Sequence, residues 1–299
     1  MRRLVAAWLV FATAGLQAAE VVFASYNLEN YFTTVRSSDY GMEMMASKPA
    51  KAVAAQIRII SAIHADILGV CEMGGAEDFS DFKNRLKSLG YTDFEYVNGP
   101  DPDRHLALLS KFPIVAHNSR EDISYDLNGI REKVKRGFLD VTIRIGPDYE
   151  LRCVGVHLKS KLATATGEAL MRRHEAHLLR EHIARILTEK PTTHLLVYGD
   201  FNDTKNEPAI QEVLGPRGSK QGLKDLWLRD DQGDRWTYYW KQSDTYTRID
   251  YLMASPALFR SIDSKKSRVF RSTDWNDASD HRPIVATINT PKPQSSPTP

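Results

Sequence analysis

The segment Leu195-Leu196-Val197-Tyr198-Gly199-Asp200-Phe201-Asn202-Asp203 is a short apolar run that stops abruptly in acids and a carboxamide. A run of this length, apolar on both faces, reads as a strand covered on both sides. The pattern recurs along the chain. Val21 to Tyr26 ends in Asn27, Ile67 to Cys71 in Glu72, and Leu151 to Val156 in His157. Arg248-Ile249-Asp250 opens another apolar run, and Ser279-Asp280-His281 precedes Pro283-Ile284-Val285. If these strands lie side by side, their polar ends converge in one cleft. Burying several carboxylates, two imidazoles and two carboxamides there without a cation would be costly. Hard oxygen donors of this kind suit Mg²⁺, with Mn²⁺ or Ca²⁺ as substitutes; Zn²⁺ favours more His or Cys at close spacing.

Each residue alone has a plainer reading. Glu72 is then a solvated cap, His157 a satisfied structural histidine, and Asp200 and Asn202 turn formers. Asp250 alone is half of an ion pair with Arg248. It is the repetition that points to a site.

Around this pattern, strands are expected at 21–26, 66–71, 106–110, 138–145, 151–158, 194–199, 248–254 and 283–288. Helices are expected at 50–64, 77–89 and 168–189, where Phe79, Phe82, Leu86 and Leu89 follow a helical spacing. Strands apolar on both faces call for sheets packed on each other and flanked by helices. Residues 33–49 and 116–136 read as long surface loops. No composition shift or repeat divides the chain.

The polar strand ends resemble those of the endonuclease/exonuclease/phosphatase superfamily. The matching pieces are Ser25-Tyr26-Asn27-Leu28-Glu29-Asn30, Ala65 through Glu72, and Ala107-Leu108-Leu109-Ser110-Lys111-Phe112-Pro113-Ile114. They continue with Val156-His157-Leu158-Lys159-Ser160-Lys161, Gly199-Asp200-Phe201-Asn202-Asp203, Arg248-Ile249-Asp250-Tyr251 and Ser279-Asp280-His281-Arg282-Pro283. The Gly-Asp-Phe-Asn and Ser-Asp-His pieces together are specific; Asn-Leu-Glu-Asn alone is weak. The resemblance covers residues 20–290 and implies an α/β, four-layered α/β-sandwich: two mixed sheets face to face, with helices outside. It also implies metal-dependent hydrolysis of a phosphoester. Glu72 then binds the metal, supported by Asn27 and Asp280. Asp200 and Asn202 orient the attacking water and the phosphate, His281 acts on either, Asp250 fixes the tautomer of His281, and His157 contacts a phosphate oxygen.

Composition bounds the rest. The chain has 299 residues, 42% of them hydrophobic, which excludes wholesale disorder. Two cysteines exclude a disulfide-stapled scaffold, and both lie in strand-like runs where buried free thiols are expected. Arg2-Arg3, the apolar run Leu4 to Leu16 and Gln17-Ala18-Ala19 read as an export signal with cleavage before Glu20. Without residues 1–19 the chain carries 38 basic and 38 acidic residues, so no global field pulls it onto nucleic acid or membrane. The mature chain has no transmembrane run, its Pro-rich end at 291–299 reads as disordered, and a periplasmic or secreted monomer is expected.

Substrate choice rests on local features. Arg235 through Arg248 interleaves Trp236, Tyr238, Tyr239, Trp240 and Tyr246 with cations, which suits base stacking, buried strand packing or a lipid surface. Lys159, Lys161, Arg172 and Arg173 flank the loop after His157, and Arg104 precedes another strand. From these, Arg104, Lys159, Arg173, Trp240 and Arg248 are the candidate substrate contacts. The leading reading is an exported Mg²⁺-dependent nuclease acting on DNA or RNA. The alternatives are the same chemistry on a phospholipid headgroup or small phosphate ester, and a non-catalytic binding module.

Overall fold

A computed structural model describes residues 19–37 and 43–291. The expected export segment lies outside the described residues except for Ala19, and so does the Pro-rich tail beyond Pro291. Two six-stranded sheets carry the fold. In spatial order the first is Ile262–Val269, Ile284–Thr290, Ala19–Tyr31, Ile67–Met73, His105–Ser110 and Asp93–Val97. The second is Lys224–Asp225, Asp250–Ala254, Leu195–Asp200, Tyr149–His157, Leu139–Gly146 and Ile114–His117.

The facing sides bury Phe23, Ile67, Leu108, Val141, Leu151, Leu196 and Leu252 against one another. Helices α1 (Ala50–Ile63) and α2 (Ala76–Arg85) cover the outer face of the first sheet through Ile59, Ile60, Phe79 and Phe82. Helix α3 (Glu168–Glu189) covers the second through Leu179, Ile183 and Leu187. This is the expected four-layered sandwich. The order helix, sheet, sheet, helix follows because each central strand is apolar on both sides and needs a cover on each.

The centre of each sheet is a parallel pair. Ala19–Tyr31 runs beside Ile67–Met73, with Asn27 opposite Cys71. Tyr149–His157 runs beside Leu195–Asp200, with His157 opposite Asp200, and Asp250 faces Asp200 from the antiparallel neighbour. Tyr198 is wedged between the sheets. A Cβ built on Gly69 would sit 2.1 Å from its Cε2, and one on Gly155 2.6 Å from its Cζ. Only glycine lets the two backbones close on this ring. Cys71 and Cys153 are buried free thiols, and the Cys71 Sγ lies 3.5 Å from the Val156 carbonyl of the other sheet.

The structure corrects several expectations. Residues 33–49 and 116–136 are not plain loops: each holds a hairpin, Thr34–Ser37 with Glu43–Ala46 and Ser124–Leu127 with Ile130–Lys133. The helix expected over 77–89 ends at Arg85 and continues as a tighter turn, Lys87–Leu89. Strands Asp93–Val97, Ile114–His117 and Ile262–Val269 were not expected. They lie at the sheet edges or beside them and leave much of their surface in water, so the apolar signature of a central strand is missing.

Gly155→Ala should destabilise the fold by about 1–3 kcal/mol, as overpacking of a filled core does. Urea unfolding checks it, and Tyr198→Phe in the same chain should recover part of the loss by removing the hydroxyl nearest the new methyl. Equal stability of Gly155→Ala and the parent would refute the wedge.

Candidate active site

The parallel pairs end on one rim, and their terminal side chains meet across the gap between the sheets. Asn27 donates its Nδ2 to Asp200 Oδ2 at 3.1 Å and to Glu72 Oε1 at 3.3 Å. Its Oδ1 accepts the Glu29 N–H at 3.0 Å. Glu72 Oε2 accepts the Asn30 N–H at 2.8 Å. Glu72 and Asn202 adopt left-handed backbone, with φ of 59° and 52°. For a glutamate that conformation is strained, and such strain gathers where a side chain must be aimed.

Two imidazoles flank Asp200. His157 Nε2 lies 3.7 Å from Asp200 Oδ2 and 3.9 Å from Glu72 Oε1. Burial drives the pKa of His157 well below its usual value, and the Arg136, His281 and Arg104 charges push the same way, so this ring is neutral. His281 behaves oppositely. Its Nδ1 donates to Asp250 Oδ2 at 2.8 Å, and its Nε2 lies 3.8 Å from Asp200 Oδ2. Burial works against the imidazolium, but Asp250, Asp280 and Asp200 outweigh it and hold the pKa well above the usual value. Burial, with Asp250 beside it, raises the Asp200 carboxyl above the ordinary carboxylate range. Burial likewise raises Asp280, with Glu29 and Glu72 adding to it.

The donor set fits a hard divalent cation. Glu72, Asp200, Asp250 and Asp280 lie close enough to repel one another, and this repulsion adds to burial, the larger cause, in making Asp200 and Asp280 resist ionisation. Ligand atoms of Asp200, Asp250 and His281 lie within 4.8 Å of one another. Asp250 and His281 are already bonded to each other, and the expected metal residues Asn27, Glu72 and Asp280 stand outside this trio, with the Glu72 oxygens held by Asn27 and the Asn30 N–H.

Asn202 closes the turn. Its N–H donates to Asp200 Oδ1 at 2.8 Å and its Nδ2 to the Leu158 carbonyl at 3.0 Å. Arg104 sits over the Phe32 ring at 5.4 Å, on the rim beside His157. Trp240 is half exposed on the hairpin Tyr238–Trp240 with Thr245–Thr247. It lines a cavity of about 340 Å³ with Tyr238, Tyr239, Asn276 and Asp280.

Three candidate substrate contacts are placed otherwise. Lys159 Nζ is held by the Ser160 and Leu162 carbonyls at 3.1 and 3.0 Å, so its charge closes its own loop. Arg173 is exposed on α3; the inward neighbour is Arg172, which ties Asp203 to the Lys159 carbonyl at 3.1 Å each. Arg248 makes a two-pronged pair with Asp225, not with Asp250.

Sequence reasoning missed other residues of the site. Arg136 is buried, pairs with Asp101 at 3.0 Å, and leaves Nη1 without a partner. It lay in a segment read as a loop, with no local signal to single it out. Ser279 Oγ donates to the Asn27 carbonyl at 2.9 Å and accepts the His281 N–H at 3.1 Å, joining the two sheet-end motifs. Thr237 Oγ1 accepts the Asp250 N–H at 3.1 Å. Lys48 Nζ reaches the Glu29 carbonyl at 2.9 Å. Glu175 on α3 accepts the Lys159 N–H at 2.7 Å and so anchors the chain just past His157.

The sequence profile of the Endonuclease/Exonuclease/phosphatase family matches residues 24–281. No curated protein sequence matches the chain. Solved structures with the same fold include truncated Caenorhabditis elegans TDP2, at TM-score 0.62 and 19% identity over 92% of this chain and 99% of that one. The Neisseria 3′ phosphatase NExo bound to a product DNA hairpin aligns at TM-score 0.62 and 15% identity over 89% of this chain and 98% of that one. Sphingomyelinase C from Streptomyces griseocarneus aligns at 0.59 and 16% over 91% and 100%. At these identities the likeness is one of fold.

Glu175 yields a test of the buried loop anchor. Burial raises its pKa to about 7. Between the ordinary glutamate pKa and 7 the folded state keeps a proton that the unfolded chain releases, so stability falls as pH rises through that window. Glu175→Gln keeps the acceptor and cannot ionise. Relative to the parent it should gain up to about 3 kcal/mol between pH 4.5 and 8. Denaturant unfolding at both pH values measures it, and a pH-independent difference would refute the burial argument.

Proposed function

The chain belongs to the endonuclease/exonuclease/phosphatase family, and on that premise we propose that it is an exported, monomeric, Mg²⁺-dependent phosphodiesterase that cleaves DNA or RNA. The observation that carries this reading is the convergence of two imidazoles on one buried carboxylate: His157 Nε2 and His281 Nε2 lie 3.7 and 3.8 Å from the same oxygen of Asp200.

Phosphoryl transfer concentrates charge on the non-bridging oxygens, so catalysis is mainly positioning and electrostatic stabilisation. His281, held in one tautomer by Asp250, offers Nε2–H to a phosphate oxygen. His157, neutral and aimed into the same space, offers a second donor. Asp200, with its raised pKa, accepts the proton of the attacking water, and Asn202 holds the turn that aims it. Arg104 and the unpartnered Nη1 of Arg136 supply positive charge beside His157. Glu72, with Asn27 and Asp280, would hold Mg²⁺, which when bound polarises the phosphoryl group and stabilises the leaving oxygen.

The rings of Tyr238, Tyr239 and Trp240, which line a largely polar cavity with Asp280, support a substrate with a planar ring next to the phosphate. A second reading, hydrolysis of a phospholipid headgroup, draws on a different feature. Val35, Met44 and Met45 are exposed on the hairpin Thr34–Ser37 with Glu43–Ala46, with Met45 66% exposed.

Residues 20–299 should cleave plasmid DNA or structured RNA in Mg²⁺. Asp200→Ala and His281→Ala should each lower the rate by about 10²–10⁴-fold with the fold retained, as circular dichroism checks. Near-parental rates in either variant would overturn the assignment, and release of phosphocholine from sphingomyelin liposomes without nucleic-acid cleavage would replace the substrate. Chelation by EDTA should stop turnover, with Mg²⁺ or Mn²⁺ restoring it; full activity in metal-stripped enzyme would remove the role given to Glu72.

A further inference from the structure

On the same rim, outside the catalytic cleft, one exposed indole gathers three cations. Trp227 is 44% exposed. Lys205 Nζ lies 3.8 Å from its ring centroid, and the guanidinium carbons of Arg235 and Arg248 lie at 4.5 and 4.8 Å. Arg248 is neutralised by Asp225. Lys205, Arg229 and Arg235 have no carboxylate within ion-pair distance among the described residues, and Lys205 and Arg229 are exposed. Arg235 is fixed by the Leu228 carbonyl at 3.1 Å and by that of Trp227. Burial, followed by repulsion from Arg229 and Arg248, lowers its pKa. Cation–π attraction at an exposed ring is about 0.5–1 kcal/mol each, and Asp225, already paired with Arg248, offsets only part of the repulsion among these cations.

The cluster is rigidly placed against the catalytic loops. Lys205 follows Asn202 by three residues, and Arg248 precedes Asp250 by two. The Tyr251 hydroxyl lies 3.0 Å from the Asp203 carbonyl and 3.2 Å from that of Arg248, which ties both loops together. The ring already supports cations, so it serves as a platform for charge rather than a stacking surface. The exposed apolar residues that a lipid surface would engage, Val35, Met44 and Met45, lie on another hairpin.

We propose that Lys205 and Arg235 on the Trp227 ring, with Arg229 near enough to Arg235 to repel it, form a phosphate subsite that holds a polynucleotide strand at a phosphodiester other than the one being cleaved. The inference rests on the nuclease reading and deepens it: the substrate is long enough to reach from Asp200 to this platform, and short phosphate esters do not use it.

The test is fluorescence anisotropy of a labelled single-stranded oligonucleotide of about 20 nucleotides, in EDTA to prevent cleavage, across a NaCl series. Lys205→Glu and Arg229→Glu, both at exposed positions, should each weaken binding about tenfold at low salt and reduce the slope of log affinity against log salt by about 1. Their turnover of bis-p-nitrophenyl phosphate should match the parent. Parental affinity and slope in both variants, while the parent still cleaves nucleic acid, would overturn the subsite and leave the nuclease reading intact. Variants that lose binding to phosphatidylglycerol vesicles but not to the oligonucleotide would overturn the choice of partner. A parent that neither binds nor cleaves any polynucleotide would overturn both readings.

Discussion

The carboxamide of Asn27, bonded to Asp200 of the opposite sheet and to Glu72 of its own, is the interaction on which the site depends. It sits where two sheets that share no hydrogen-bonded strand pair among the described residues come together. An almost fully buried carboxylate such as Asp200 must be satisfied or it neutralises. Asn27 supplies one donor from the first sheet, and the Asn202 N–H supplies another from its own turn. The Tyr198 ring, seated against Gly69 and Gly155, sets how closely the sheets approach and so whether Asn27 can reach.

Charge is then divided with little slack. Each histidine has a different neighbourhood and therefore a different charge. Asp250 makes His281 a cation, while burial and the flanking Arg136 and Arg104 keep His157 neutral. Exchanging these environments would exchange the roles, although the residue type is the same. Ser279 and Thr237 contribute no chemistry of their own. Their hydroxyls hold backbone at His281 and Asp250 and keep that pair in register with Asn27.

The long cationic side chains show where sequence reading weakens. Among the candidate contacts, Lys159 and Arg248 stand two residues from His157 and Asp250, while Arg104, Arg173 and Trp240 lie further along the chain from any predicted site residue. In the folded chain Arg104 and Trp240 border the cleft, Lys159 caps its own loop, Arg248 is spent on Asp225, and Arg173 points to solvent. A side chain of five or six bonds can turn toward any partner in reach, and the partner is set by other parts of the chain. Arg136 shows the converse: nothing in Lys133 through Arg136 announces a buried guanidinium, because its burial comes from the segment around Asp101.

What the sequence determined by itself was the set of central strands, the helices that cover them and the polar residue ending each strand. Those features are local, since apolar runs, their periodicity and their stop signals are written in consecutive residues. Asn27, Glu72, His157, Asp200, Asp250 and His281 were legible for that reason; parallel pairing brings the strand ends at the first four to one rim, and antiparallel pairing brings the strand starts at Asp250 and after His281 there. The edge strands, the environment of each histidine and the choice of ion-pair partners were decided only by tertiary structure. Each depends on which distant segment lies alongside, and burial and electrostatics are properties of that packing rather than of any stretch of chain.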